Sequence, residues 1–362
     1  MKEKCIFILI CWCLIVSSMV EGQQVVSGRI TDATDGTPVP NATIILANST
    51  IGTSSDIDGN YSITYHGIGS FEIGVSHVSY QPMFHKIDMP KPMHQIHFSM
   101  EIKELEEVVV VANNNYRRSD VNFFWRRLLG VRPSRNGMEV INPEKVYFFR
   151  NSENVLHASC QEPINIINHD LGYRISYILK SFQHDYRKNE TIFIGMTNFE
   201  ELVPENNRQQ SAWEKKRQDV YEISIIRFMR ALYQDKIHEN GFLLIEKDSA
   251  WISTTPFPLT EILQVNQDHV TADIETPLYL ACLTHPVTDR MIQSTWQIIF
   301  GDRSNFPIMI LMPQKITVYA DGTYTGNLYI QEYRNSVIGL SFILPIEYDT
   351  KYSSSYTTEL KK

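Results

Sequence analysis

The sequence predicts a β-sandwich of short antiparallel strands over residues 24–112. An α+β domain follows over residues 116–362, with a mostly antiparallel sheet and one long helix. Short alternating apolar runs separated by turn residues predict the sandwich, and longer strand-like runs with one stretch of helical periodicity predict the second domain. With 43% hydrophobic and 20% charged residues, the chain has the composition of an ordinary globular protein.

Length and charge exclude several classes of protein. The 362 residues fit two domains, since domains commonly run to about 100–200 residues. The 33 basic and 41 acidic residues give a formal charge of −8, whereas a nucleic-acid-binding chain usually carries a basic surface. Beyond the amino terminus no stretch reaches the roughly 20 apolar residues of a membrane-spanning helix. We therefore expect no nucleic-acid partner and no membrane span once the amino-terminal segment is removed.

Residues 1–22 predict a secretory signal peptide. Lys2 and Lys4 precede the uncharged run Cys5–Val16, and small residues up to Gly22 follow it. The alternatives are a buried helix or a membrane anchor, but the run is too short to cross a bilayer. The signal predicts an exported protein, periplasmic or associated with the outer membrane.

Removal of the signal leaves Cys160 and Cys282, because Cys5, Cys11 and Cys13 lie within it. One pair cannot form the disulfide framework of a small secreted domain. The two cysteines form either one bond or two buried thiols, and the frequent burial of free cysteine favours thiols.

Four apolar alternations define the strands of the first domain. Turn residues at 35–38 and 58–60 separate them. Because side chains two residues apart share one face of a strand, each alternation predicts a buried face. The alternating residues are Val26 and Ile30; Ala42, Ile44 and Leu46; Tyr61 and Ile63; and Phe71, Ile73 and Val75.

The glycines, proline and aspartates of this region resemble the carboxypeptidase regulatory-like domain. The resemblance is carried by Val26-x-Gly28-x-Ile30-x-Asp32, Gly36-x-Pro38-Val39-x-x-Ala42-x-Ile44, Gly52, Asp56 and Gly59-x-Tyr61-x-Ile63. It implies a seven-stranded transthyretin-like sandwich without catalytic residues, common at the front of Bacteroides-type envelope proteins.

The segment Leu105–Ala112 is similar to the one that joins this domain to the plug of TonB-dependent outer-membrane receptors. No plug motif follows, and the remaining residues are too few for a plug and a 22-stranded barrel. The segment is either an ordinary terminal strand or a free strand that adds to the sheet edge of a partner.

The second domain begins with a predicted short helix that Ser119 or Asp120 caps and Gly130 ends. Strand-like runs follow, and a long helix is predicted from about Asn207 to His238. Five segments together resemble Bacteroides-type secreted proteins of similar length, a resemblance that implies no reaction. They are Asn142-Pro143, Leu171–Ile175, Phe199–Leu202, Trp213–Arg217 and Phe228–Tyr233.

Motif searches predict no enzyme and no cofactor. The sequence holds no HExxH, no Gly-x-Ser-x-Gly, no Ser-x-x-Lys and no phosphate-binding Gly-x-x-x-x-Gly-Lys. Asp56-x-Asp58-Gly59 lacks the later ligands of a calcium loop and predicts a hairpin. His157 and Cys160 lie three residues apart on a strand, so we expect them to face opposite ways.

One cluster has the chemistry of a metal site, because thioether and imidazole ligands suit Cu(I) in an oxidising compartment. The candidates are Met83, His85, Met89, Met93, His94, His97 and Met100. The alternative is that the methionines fill core space and the histidines lie on strand surfaces.

Four tryptophans are candidates for sugar stacking, although large aromatic residues are more often part of a core. They are Trp125, Trp213, Trp251 and Trp296.

These observations predict an exported, non-enzymatic binding or accessory protein of the bacterial cell envelope. Its expected partner is an outer-membrane receptor or another envelope protein of an uptake or assembly system. The alternative is a hydrolase with an unrecognised site in the second domain, and a concave cluster of carboxylates or histidines would favour that alternative.

Overall fold

The computed structural model describes most of the chain after residue 23. The signal segment 1–22, the segment Leu105–Ala112, Met89, Trp251 and Trp296 lie outside the described residues. The described ranges are 24–67, 69–87, 93–102, 116–130, 137–160, 162–188, 190–246, 257–283, 308–325, 330–332 and 339–351.

Two facing sheets form the amino-terminal domain, which confirms the predicted β-sandwich. In the first sheet, β1 pairs antiparallel with β4 and parallel with β7 and β8. The second sheet has the order β3-β2-β5-β6. The strands are β1 Gln24–Asp32, β2 Thr43–Leu46, β3 Gly52–Ser54, β4 Asn60–Tyr65, β5 Phe71–His77, β6 Tyr80–Ile87, β7 Met93–Gln95 and β8 Phe98–Met100.

The predicted alternation places the apolar side chains between these sheets. Val26, Ile30, Ile44 and Ile73 are fully buried in one cluster. Gly59 has a φ of +78° in the turn before β4, and a Cβ there would approach the Ile30 carbonyl oxygen to 2.4 Å. The turn therefore requires glycine, which lets the chain close tightly over the end of β1.

The second region opens with helix α1 and a mostly antiparallel sheet, as predicted. The sheet order is β10-β11-β13-β12-β9, and β14 pairs with the other edge of the long strand β13. The elements are α1 Arg118–Leu129, β9 Met138–Val140, β10 Val146–Arg150, β11 Val155–Cys160, β12 Ile164–Asn168, β13 Tyr173–Asp185 and β14 Glu190–Glu201.

Helix α1 begins slightly earlier than predicted and ends as predicted. Arg117 is its N-cap residue, and Asp120 accepts a hydrogen bond from the Arg117 backbone N–H at 2.8 Å. The Asp120 carboxylate thus caps the helix from its first turn, where it also interacts favourably with the positive end of the helix dipole. Gly130 ends the helix in the left-handed conformation.

The single long helix predicted from Asn207 to His238 is two helices in the structure. These are α2 Asn207–Tyr221 and α3 Ile225–Tyr233. Ser224 separates them because its hydroxyl accepts a hydrogen bond from the Arg227 N–H and donates one to the Tyr221 carbonyl oxygen. A serine that caps a new helix breaks the backbone ladder without interrupting the apolar periodicity.

Two further antiparallel sheets follow, with the orders β15-β18-β19-β22 and β16-β17-β20-β21. Short 3₁₀ helices lie at Pro143–Lys145, Leu259–Glu261, Leu340–Phe342 and Ile346–Lys351. The strands are β15 Phe242–Glu246, β16 Leu263–Val265, β17 His269–Ile274, β18 Leu278–Cys282, β19 Ile308–Leu311, β20 Gln314–Tyr319, β21 Tyr324–Thr325 and β22 Ile330–Glu332.

After residue 116 the buried side chains form two large clusters. The first cluster surrounds Phe124 and Phe182 and includes Leu344. The last described residues therefore pack against the sheet that contains β13 and β14. The second surrounds Phe228 and Leu280. The division of the chain at residues 112 and 116 stays a prediction.

Candidate functional site

The amino-terminal domain is fastened to the rest of the chain by the loop between β2 and β3. Ser49 forms a parallel bridge with Asn198 at the outer edge of β14. The Asn48 N–H donates to the Thr197 carbonyl oxygen at 2.7 Å, and the Phe199 N–H donates to the Ser49 carbonyl oxygen at 2.9 Å. The loop thus behaves as a short extra strand of the sheet that contains β13 and β14.

A small apolar cluster lies beside this bridge. Ile45 comes from the sandwich, and Ile178 and Met196 come from β13 and β14; all three are buried. A Cβ at Gly74 would approach the Met196 sulfur to 2.7 Å, so the contact requires a residue without a side chain there. Hydrogen bonds of Asn48 and Ser49 and the packing of Ile45 therefore both hold the sandwich against β14. We call this contact the docking seam.

Asp321 forms a second attachment. Its Oδ2 accepts hydrogen bonds from the Tyr65 hydroxyl at 3.3 Å and the Gly69 N–H at 3.1 Å. Burial, followed by this neighbouring carboxylate, raises the pKa of Tyr65 above its usual value. Thr323 also donates to Asp321, through its N–H and its hydroxyl, and so orients the carboxylate.

Arg230 links this attachment to the last described segment. Its Nε donates to the Asp321 carbonyl oxygen at 2.9 Å, and its Nη2 donates to the Ile346 carbonyl oxygen at 3.0 Å. The Ile346 N–H in turn donates to the Asn48 carbonyl oxygen at 2.7 Å. One buried arginine on α3 thus holds two elements that contact the sandwich.

Between these elements lies a cleft of about 260 Å³, which we take as the candidate functional site. The β2–β3 loop, the strand ends of β13 and β14, helix α2 and residues 345–348 form its walls. The lining residues are Thr50, Tyr173, Glu201, Leu202, Pro204, Gln210, Trp213, Glu214, Arg217, Pro345, Glu347 and Tyr348.

The turn before β13 positions the aromatic wall of this cleft. Gly172 has a φ of +68°, and a Cβ there would meet the Trp213 ring at 2.3 Å. The Trp213 indole N–H donates to the His169 carbonyl oxygen at 2.7 Å. The glycine therefore serves both the backbone turn and the close approach of α2.

Arg217 is the buried cation of the cleft, and its donors are occupied within the fold. Nε donates to the Leu171 carbonyl oxygen at 2.7 Å, and Nη2 donates to that of Gly172 at 3.2 Å. Its Nη1 lies 3.7 Å from Glu201 Oε1, and the guanidinium stacks 4.0 Å from the centre of the Tyr173 ring. Arg217 thus positions the turn and balances one carboxylate.

The remaining charge of the cleft is acidic. Glu214 lies on α2, and the Glu347 carboxylate accepts a hydrogen bond from the Thr50 N–H at 3.2 Å. The lining residues include no histidine, cysteine or serine, so this described cleft offers no histidine-activated nucleophile. Its volume falls below the roughly 300–1,000 Å³ of drug-sized ligand pockets. The arrangement suits binding of a small polar group or a protruding side chain.

Three of the five sequence-distant segments singled out above meet at this cleft. Leu171–Ile175 supplies Tyr173, Phe199–Leu202 supplies Glu201, and Trp213–Arg217 supplies the α2 wall. Asn142 instead anchors a backbone turn, since its Oδ1 accepts from the Asn165 N–H at 2.8 Å. Thr50 and Glu347 were missed by sequence reasoning, because no local pattern marks them.

The candidate Cu(I) ligands take several positions in the sandwich. Met100 is fully buried in the core and Met83 packs against it. Met93 is 70% exposed, and His97 Nδ1 accepts a hydrogen bond from the Arg29 N–H. Among the described residues, no group of three or more His, Cys, Asp and Glu side chains is placed to hold a metal ion.

Two of these candidates lie beside aromatic rings. His85 is exposed on β6 with its ring 6.3 Å from that of Phe98, and the ring of His94 lies 6.1 Å from that of Phe71. Both contacts are edge-on. The candidate metal site stays a prediction.

The other candidate residues are mostly structural. Trp125 is buried in the core, which agrees with the core alternative, whereas Trp213 is buried at the wall of the cleft. Cys160 and Cys282 are not bonded to each other; Cys160 is half-buried and its thiol donates to the Glu162 carbonyl oxygen, and Cys282 is buried. His157 stacks on Phe149 with ring centres 4.5 Å apart, so its ring packs against β10.

Together, the sandwich, its docking seam and the cleft define a β-rich protein in which a small amino-terminal domain is built into an α+β body. Residues 26–110 match the family model of the CarboxypepD_reg-like domain, and this part of the chain is a domain of that family. The family resemblance found in the sequence is thereby confirmed.

Two curated relatives share this region. TonB-dependent receptor P3 of Formosa agariphila is 28% identical over 116 residues, which cover 32% of the chain and 11% of the receptor. TonB-dependent receptor P39 of the same organism is 30% identical over 102 residues, which cover 28% of the chain and 10% of the receptor. The chain thus matches about a tenth of the length of each receptor.

Among the solved structures to which the chain is similar is a DUF3823 family protein from Bacteroides ovatus. It is 11% identical, covers 50% of the chain and 82% of its own length, and has a TM-score of 0.19. Within the described residues, no helix is both long enough and apolar enough to cross a membrane.

Proposed function

We propose that the chain is an exported, non-enzymatic binding or accessory protein of the bacterial cell envelope, assisting an outer-membrane uptake or assembly system. The observation that carries this proposal is the CarboxypepD_reg-like domain shared with two TonB-dependent receptors. The signal predicted over residues 1–22 supports export. The proposed partner is a receptor or assembly protein of that envelope.

The cleft supports a binding role more directly than a catalytic one. All four of its charged groups have partners, since Arg217 lies beside Glu201, Glu347 accepts from the Thr50 N–H and Glu214 accepts from the Gln210 side-chain amide. Groups fixed in this way are oriented to bind a ligand. Because Thr50 belongs to the amino-terminal domain, a bound ligand would contact both parts of the chain.

Site-specific crosslinking in the producing bacterium tests this function. A photoreactive amino acid replaces Ile57 on the sandwich, Val203 beside the cleft, or the control Val265 on β16; these residues are 80%, 90% and 77% exposed. We expect Ile57 and Val203, but not Val265, to capture one outer-membrane receptor or assembly protein. Capture of no envelope protein at any position would reject the proposal, as would recovery of the chain from the cytoplasmic fraction.

The hydrolase alternative rests on the three glutamates around the cleft, since paired carboxylates are the usual acid and base of hydrolytic enzymes. A screen of the purified mature chain against glycoside, ester and peptide substrates tests it, with Glu214→Gln as the site variant and Glu261→Gln as a distant control. Turnover that only Glu214→Gln abolishes would establish the hydrolase and remove the non-enzymatic proposal.

A further inference from the structure

The sheet that contains β13 and β14 has an exposed apolar face beyond the docking seam. In this half of the sheet four strands run in the order β10-β11-β13-β14. Tyr147 and Phe149 on β10 and Ile192 and Ile194 on β14 are each between 42% and 53% exposed. Large apolar side chains thus lie in solvent on both outer strands of the same sheet.

Strand register shows that these four side chains share one face with a polar strip between them. Directly paired residues of antiparallel strands point to the same side of a sheet. The first row of paired residues runs Phe149, His157, Gln183 and Ile192, and the second row holds Tyr147 with Ser159 and Ser181 with Ile194. The opposite face packs on the buried cluster around Phe124 and Phe182.

The two rows form a neutral surface. Among their side chains only His157 titrates near neutral pH, and burial lowers the pKa of its imidazole. Charged side chains lie beyond the rows, where Lys188 pairs with Asp185 at one end and Lys145 with Glu162 at the other. Because a binding surface and its ligand have complementary charge, this face suits an uncharged ligand.

The aromatic edge of the face offers a ring with one free side. The rings of Phe149 and His157 stack with centres 4.5 Å apart and an interplanar angle of 4°. Since His157 lies on β11 and β10 is the outer strand, the other side of the Phe149 ring points away from the described strands. Tyr147 lies about 7 Å along the same strand. An aromatic ring face exposed beside polar groups is what a sugar ring contacts with its C–H groups, while its hydroxyls form hydrogen bonds.

The size of the face distinguishes a small ligand from a partner protein. Four strands at about 4.8 Å span about 14 Å, and the two rows lie about 7 Å apart, which gives about 100 Å² between the outermost residues. A standard protein interface covers about 800 Å² on each partner. The face cannot extend further along β14, because Ile45 of the sandwich covers Ile178 and Met196 and Lys180 lies over the Phe84 ring at 4.8 Å.

We propose that this face binds a short segment of a neutral glycan. One sugar ring stacks on the free side of Phe149 and its neighbour contacts Tyr147, while hydroxyl groups hydrogen-bond with His157 and Gln183. The site is separate from the cleft and does not rest on the function proposed above. Because the contact area is small, we expect a dissociation constant on the order of 0.1–1 mM.

Affinity electrophoresis of the mature chain tests the class of ligand. Native gels contain a neutral polymer, namely a β-glucan, a mannan, a xylan or a starch, or one of the acidic polymers alginate and polygalacturonate. We expect a neutral polymer, and neither acidic polymer, to retard the chain. Phe149→Ala should weaken this binding by about tenfold or more, whereas Phe149→Trp should retain it. Val265→Ala is the control, since Val265 is exposed on a different sheet and should bind normally.

Retardation by no neutral polymer, or equal retardation of Phe149→Ala and the unchanged chain, would overturn the proposal. If Phe149→Ala instead removed the crosslinks to an envelope protein while no polymer retarded the chain, the face would be a protein-binding surface and the glycan proposal would be wrong. Crosslinking from Ile57 and Val203 in the unchanged chain still tests the function proposed above, because neither residue belongs to the two rows.

Methyl NMR of isoleucine-labelled chain tests the position of the site. Oligosaccharides of the retarding polymer should shift the methyl signals of Ile192 and Ile194. The signals of Ile57 and Ile102, which are exposed on the sandwich, should stay unchanged. Shifts at Ile57 or Ile102 without shifts at Ile192 and Ile194 would place the glycan on the sandwich and overturn the assignment.

Discussion

Replacing Asp321 with alanine should loosen the amino-terminal domain from the body of the protein. The carboxylate accepts hydrogen bonds from two groups of that domain, the Tyr65 hydroxyl and the Gly69 N–H. A Cβ at Gly69 would meet the Thr323 hydroxyl at 1.6 Å, so the Gly69 backbone lies directly against the side chains of this attachment.

The magnitude follows from the two bonds. A hydrogen bond to a charged acceptor contributes roughly 1.5–3 kcal/mol, and a neutral one roughly 0.5–1.5 kcal/mol. At 3.3 and 3.1 Å both bonds are long, so we assign about 1–1.5 kcal/mol to each. The buried Tyr65 hydroxyl would lose its acceptor. We expect Asp321→Ala to lower the free energy of unfolding by at least about 2–3 kcal/mol, because the two local hydrogen bonds from Thr323 are lost as well.

Urea denaturation measures this change, and limited proteolysis shows whether the sandwich separates first. The control is Asp273→Ala on β17, whose carboxylate makes a solvent-exposed ion pair with Lys315 at 3.3 Å. Exposed pairs contribute about 0–1 kcal/mol. If Asp321→Ala costs no more than Asp273→Ala, the hydrogen bonds across the seam do not stabilise the protein in solution and the reasoning fails.

Three further predictions follow from buried groups. Gly172→Ala should cost about 2–4 kcal/mol in urea denaturation, because the residue has a positive φ and contacts the Trp213 ring; a loss under about 0.5 kcal/mol would disprove the close packing. Burial, followed by the charge of Arg127, lowers the pKa of His184. The stability that neutral His184 confers is present above its unfolded pKa of about 6.5 and is lost as pH falls through the folded value. His184→Gln should therefore shrink the drop in unfolding midpoint between pH 7.5 and pH 5, and an unchanged drop would contradict this. Burial raises the pKa of Cys282 to about 12, so a thiol reagent should modify half-buried Cys160 in the native protein and Cys282 only after denaturation; equal rates would contradict this.

The sandwich could be predicted because its determinants are local. Alternating residues such as Ile44 and Ile73 mark buried faces, and Gly59 marks a turn that no other residue fits. The break between α2 and α3 could not be predicted in the same way. Ser224 ends one helix and begins the next through side-chain hydrogen bonds, and the apolar periodicity continues across it.

The cleft lay beyond sequence reasoning because its parts are distant along the chain. Thr50 and Glu347 are 297 residues apart and meet only through the fold. The segments that supply Tyr173 and Trp213 could be singled out by their resemblance to Bacteroides-type secreted proteins, yet nothing in them showed that α2 packs on the turn before β13. Motif searches find local chemistry, and this site is assembled from contacts between elements.

The β2–β3 loop connects the proposed site to the attachment of the amino-terminal domain. Ser49 covers the end of the β14 edge through its bridge with Asn198. The next residue, Thr50, lines the cleft and donates its N–H to Glu347. A ligand that displaces Thr50 would therefore act on the same loop that holds the sandwich against β14. We expect occupancy of the cleft and attachment of the sandwich to be coupled, and a coupling free energy acts equally in both directions.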